Sequence, residues 1–136
     1  MTHVMLVGRD LALLEGLAQQ LAALGHVPRV ARTLTEAREL SNGQPPLVLV
    51  VDRALASEAG AELLTAPLAS GGARLLYRAA STPLAPLLPS LQRAVLADLT
   101  LPLERHRLAA LVQSVGERAR LSGRTPRQTP PESRML

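Results

Sequence analysis

Cysteine is absent from this 136-residue chain, which rules out disulfides, thiol catalysis and cysteine-ligated metals. Phenylalanine and tryptophan are absent too, and Tyr77 is the one aromatic side chain. The stacking platforms that hold single-stranded nucleic acids therefore cannot be built. Lysine is also missing, so the positive side chains are arginines, which stay ionised at any working pH. His3, His26 and His106 lie too far apart to show a metal-ligand spacing, which leaves oxygen ligands as the route to a metal site. No apolar run is long enough to cross a bilayer, and "MTHVMLVGRD" reaches a charge too early for the core of a signal peptide. The expectation is a cytoplasmic protein with no membrane contact.

What is present is a large apolar fraction, 47%, drawn mainly from Leu, Val and Ala. That suffices for one domain of ordinary size. The net charge of +4 sits at one end: residues 118–136 hold five arginines and one glutamate, while residues 1–117 balance ten arginines with ten acids. From Ser122 the composition turns to Pro, Arg, Thr and Ser, which cannot bury enough surface to offset the entropy of ordering. The expected division is a folded domain over 1–120 and a disordered basic tail over 121–136. Such a tail reaches nucleic acid only through weak, non-specific electrostatics.

Along the chain, "HVMLVG" (3–8) and "PPLVLVVD" (45–52) read as strands buried on both faces. "VPRVA" (27–31) is a weaker strand whose Pro28 suits a sheet edge. "ARLLYR" (73–78) and "RAVLADLT" (93–100) complete five. Between them, Leu13, Leu14, Leu17, Leu21 and Leu24 form a helical stripe capped by Asp10 and stopped by Gly25. Thr33 and Glu36 make a capping box for a short helix closed by Asn42-Gly43. Residues 57–69 read as a helix capped by Ser57. Pro83, Pro86 and Pro89 allow only a short, distorted or 3₁₀-like element over 81–92. A last helix, Leu103 to Arg120, buries Leu108, Leu111, Val112 and Val115.

Strand alternating with helix implies an α/β fold with a parallel sheet, because parallel neighbours need a crossover connection. Ligands of such sheets bind beyond the carboxyl ends of the strands. The residues there are Gly8, Arg9 and Asp10, then Asp52 and Arg53, then Arg78, then Leu101 and Pro102. Gly8 alone makes no dinucleotide fingerprint. No catalytic constellation is present: Ser57 lacks an activating histidine, and no paired carboxylates share a helix face.

"PLVLVVD", the glycine eight residues later (Gly60) and "LTLP" (99–102) resemble the receiver domains of response regulators, over roughly residues 3–118. The resemblance implies a flavodoxin-like (βα)5 three-layer sandwich with strand order 2-1-3-4-5. It makes Asp52 the counterpart of the phosphoacceptor and Pro102 that of the proline after the fifth strand. The departures fall on the chemistry. Gly8 and Arg9 replace the two Mg²⁺-binding acids, with Asp10 one place late. Arg78 stands for the switch hydroxyl, Leu101 for the lysine and Asp98 for the aromatic switch residue. Phosphoryl transfer needs its developing charge neutralised by held cations, and Mg²⁺ needs carboxylates.

The expectation is therefore a degenerate, non-enzymatic receiver with no metal or other cofactor. In that reading Arg9, with Arg53, pairs with Asp52 in the metal's place, and Arg78 pairs with Asp98. The protein would act by phosphorylation-independent contact with another signalling protein or with itself. The family's usual contact face looks like residues 82–118, with Leu84, Leu87, Leu88 and Leu91 as a candidate patch. Two alternatives stand beside it: a phosphorelay receiver using Asp52 with Asp10 and Mg²⁺, and a nucleic-acid module using the arginine tail.

Overall fold

The computed structural model describes residues 2–79 and 87–128, with the backbone alone described for residues 59–61 and 122–128. Five strands run in parallel: β1 (His3–Val7), β2 (Val27–Ala31), β3 (Val48–Asp52), β4 (Ala73–Arg78) and β5 (Ala97–Thr100). Their order across the sheet is β2-β1-β3-β4-β5, as the resemblance implied. The helices are α1 (Leu11–Ala23), α2 (Leu34–Leu40), α3 (Arg53–Ala59), α4 (Pro89–Ala94) and α5 (Arg105–Gln128), with a 3₁₀ segment at Gly60–Thr65.

Period-two alternation sends successive strand residues to opposite layers. Val4, Leu6, Val48, Val50, Leu75, Tyr77 and Leu99 pack with Leu14, Leu17 and Leu21 of α1 and Leu108, Val112 and Val115 of α5. Met5, Val7, Leu49, Val51 and Leu76 pack with α2, α3, the 3₁₀ segment and α4. Val48 to Val51 are at most 2% exposed, so β3 is the sandwiched centre. Each such side chain contributes about 1.5–3 kcal/mol by burial. Leu24 falls off the α1 stripe and is exposed, because α1 has ended at Ala23.

Local signals set most boundaries. Asp10 accepts from the Leu13 N–H at 3.2 Å, and Gly25, at φ +92°, turns the chain out of α1. Thr33 Oγ1 accepts from the Glu36 N–H, but the Glu36 carboxylate reaches back to the Arg32 N–H instead of closing the box on Thr33. In β2 the Val27 N–H donates to the Thr2 carbonyl, so the nitrogen of Pro28 points away from β1, out of the edge. That is where a missing donor costs nothing.

Three expectations need correction. The third helix starts at Arg53, not near Ser57, because Asp52 itself caps it: Asp52 Oδ1 accepts from the Ala54 N–H at 2.9 Å. The fifth strand is shorter than 93–100, since Pro89 at the first helical position seeds an α-helix through Ala94. Helix α5 runs to Gln128, eight residues beyond the expected domain boundary, while 129–136 lie outside the described residues. Pro83 and Pro86 lie outside them as well.

Candidate functional site

At the carboxyl end of the sheet, Asp52 and Tyr77 are register partners on adjacent parallel strands and so face the same layer. Tyr77 is 2% exposed, yet its hydroxyl has no hydrogen-bond partner among the described residues. The reason for its position lies on the other side of Asp52. A Cβ built on Gly8 would overlap the Tyr77 hydroxyl and approach Asp52 Cβ at 3.4 Å. The phenol therefore fills the space that a side chain at position 8 would occupy. Burial raises the Tyr77 pKa, and the carboxylates of Asp52 and Asp10 raise it further, so the phenol is neutral at any physiological pH. Leu101, just past β5, is fully buried in the same layer, so hydrocarbon stands there instead of a charge.

The other candidate residues are distributed differently from expectation. Arg9 does not pair with Asp52: its guanidinium meets Glu58 of α3 at 2.7 Å, with both side chains largely exposed. In solvent it loses little hydration there, whereas the space beside Asp52 is already taken by the phenol. Asp98 pairs with Arg53, not with Arg78. Arg53 opens α3 and lines one cleft with Asp98 and with Leu76, the residue of β4 that stands opposite Asp98. Arg78 is registered with Thr100, and its guanidinium lies 3.5 Å from the Ala79 carbonyl. Asp10 is the α1 cap, and Pro102 follows Leu101 in the exposed turn into α5.

The hydroxyl that the resemblance places after β4 was assigned to Arg78, but the register brings Tyr77 beside Asp52 instead. Sequence reasoning missed Tyr77 as a site residue. The signal was available in the sole aromatic of the chain, one residue from the assigned position, together with a glycine where an acid was expected. Glu58 was missed because nothing in its neighbourhood marks a partner 49 residues away.

The leucine patch does not form as expected. Leu91 is 1% exposed and belongs to the core, Leu87 packs partly against it, and Leu84 lies outside the described residues. Leu88 remains, 51% exposed just before α4, and Leu103 is 73% exposed in the turn between β5 and α5.

No protein-family model matches the chain, and no curated protein matches it in sequence. Solved structures do. A CheY-like response regulator receiver domain protein from Methanospirillum hungatei superposes with a TM-score of 0.63 at 17% identity, covering 88% of this chain and 98% of that one. A CheY-like receiver domain from Methylobacillus flagellatus gives 0.67 at 15%, covering 85% and 98%. NtrX from Brucella abortus, solved in complex with ADP, gives 0.65 at 15%; the match covers 92% of this chain and 28% of NtrX. The fold is that of a response regulator receiver domain. At these identities the likeness is one of architecture.

A receiver fold implies Mg²⁺ beside Asp52, and the residues present do not fit it. Mg²⁺ is held by carboxylate and other oxygens in near-octahedral geometry. Gly8 supplies no carboxylate, Asp10 is engaged as a helix cap, and the phenol fills the space between Gly8 and Asp52. Among the described residues no cluster of three or more His, Asp or Glu is placed to hold a metal, and no helix is long and apolar enough to cross a membrane.

Proposed function

We propose that this protein is a pseudo-receiver: a non-enzymatic signalling domain that works without a phosphorylation cycle, without Mg²⁺ and through protein–protein contact. The observation that carries the reading is the Tyr77 phenol beside Asp52, in the space left by Gly8. Leu101 stands in the place of a cation, and among the described residues Arg9 is paired with Glu58 and Arg53 with Asp98, which leaves little held positive charge to neutralise a phosphoryl group arriving at Asp52. The partner is another signalling protein or a second copy of the chain. The β5 edge is the contact surface, where Leu88 and Leu103 expose apolar area beside a strand paired on one side only.

Asp52 keeps its carboxylate at the end of β3 and is half-buried, which makes a phosphoacceptor the reading to exclude. The test is incubation with acetyl phosphate and Mg²⁺ followed by intact-mass spectrometry. No phosphoryl adduct is expected on the wild type. An adduct present on the wild type and absent from Asp52→Ala establishes the phosphorelay reading instead. A nucleic-acid role for the arginine tail has no structural support among the described residues.

A further inference from the structure

Next to the Asp52 pocket, but in the opposite layer, lies a separate cavity of about 430 Å³. It opens beyond the carboxyl ends of β1, β2 and β3, where the chain leaves β1 for one neighbour and returns to pair with it on the other side. Crevices at such reversals of strand order are where open α/β sheets hold ligands, and the volume falls in the range of small-molecule sites.

The two walls carry opposite chemistry. On the β2–α2 side stand Arg32 and Leu34; on the side of α3 and the 3₁₀ segment stand Leu55, Glu58 and Glu62. Arg9 is already neutralised by Glu58 at 2.7 Å, and this pair ties the β1–α1 turn to α3. Arg38 pins the walls together by donating to the Glu62 carbonyl at 3.2 Å and to Thr65 Oγ1 at 3.1 Å. Among the described lining residues, one cation, Arg32, and one anion, Glu62, remain. Neither side chain forms an ion pair among the described residues. The two leucines supply apolar lining, and both pack against the core beneath.

We infer that this cavity binds a small zwitterion with an apolar side chain, an α-amino acid being the simplest. Its carboxylate pairs with Arg32, its ammonium with Glu62, and its side chain rests on Leu34 and Leu55. Guanidinium–carboxylate pairing is the directional contact. The apolar contact selects against small polar amino acids. This site is independent of whether Asp52 accepts a phosphoryl group, so it stands or falls separately from the proposed function.

The test is a ¹H–¹⁵N NMR titration of the full chain with L-leucine, L-methionine and L-phenylalanine, each to about ten millimolar. N-acetyl-L-leucine and L-leucinamide remove one charge each. Saturable shifts confined to amides around Arg32, Leu34, Leu55 and Glu62 are expected for at least one amino acid. Affinity should fall at least tenfold for both capped ligands and in both Arg32→Gln and Glu62→Gln. Both residues are exposed, so the two variants should fold, and overlay of their remaining amide signals on those of wild type verifies it. Absence of saturable shifts with all three amino acids overturns the proposal. So does binding that survives either substitution or either cap.

Discussion

Tyr77 places a hydroxyl in a closed space where no described residue accepts from it or donates to it. A buried polar group without a partner costs on the order of 1–3 kcal/mol. Tyr77→Phe keeps the ring that fills the pocket and removes that cost, so chemical denaturation should show the variant more stable by about 1 kcal/mol; a loss of stability would mean the hydroxyl is bonded after all. Gly8→Ala has the opposite sign. Its methyl meets the phenol, and the repacking that follows costs about 1–3 kcal/mol. In Gly8→Ala/Tyr77→Ala the clash disappears, so the two substitutions should be non-additive in a double-mutant cycle.

His26 gives a pH dependence at the same scale. Its ring nitrogens are buried without a hydrogen-bond partner among the described residues, and its pKa is lowered, first by burial and then by nearby positive charge including Arg120. The folded state therefore binds the proton less readily than the unfolded state. Stability should decline as pH falls below the ordinary value of 6.5 and level off beneath the lowered folded value. In His26→Leu the decline across that window should shrink, which urea midpoints at a series of pH values will show.

Among the elements, the 3₁₀ segment after α3 shows how a poor helix sequence is held. Gly60 and Pro67 flank a stretch with orphaned carbonyls. Arg74 of β4 supplies the donors, with Nε to the Leu63 carbonyl and Nη2 to those of Leu64 and Ala66, each at 3.0 Å. Arg74→Met keeps the stem and should cost about 2–3 kcal/mol, with hydrogen exchange fastest over 60–66. The Arg53–Asp98 pair joins the start of α3 to β5, and Arg53 is mostly buried. A double-mutant cycle on the two should return a coupling of about 1–2 kcal/mol.

Legibility in the sequence divides along the range of the interaction. Asp10, Gly25 and Thr33 act within four residues and were readable. So were the five strands, whose apolar runs carry their own signal. Asp52 as a helix cap was hidden by Ser57, an equally good cap five residues on. Tyr77 against Gly8, Arg9 with Glu58 and Arg53 with Asp98 are all long-range choices. In each, a charge or ring selects among several partners that the topology brings within reach.

At the scale of the whole molecule, the receiver architecture is intact while the pocket at its carboxyl edge is filled from within. Leu88, just before α4, and Leu103, just after β5, are exposed, and the proposed contact surface includes both. If the domain pairs with itself there, light scattering should show a mass that rises with concentration in the wild type and stays monomeric in Leu103→Asp. The central claim is that the phenol excludes a divalent ion from Asp52. Its most direct test is a Mg²⁺ titration followed by the amide signals of Gly8, Asp52 and Ala54. The account predicts that these signals stay in place through about ten millimolar Mg²⁺, because too few oxygen ligands remain beside Asp52 to replace the ion's water shell. Saturable shifts at those three amides in the wild type, lost in Asp52→Asn, would contradict it.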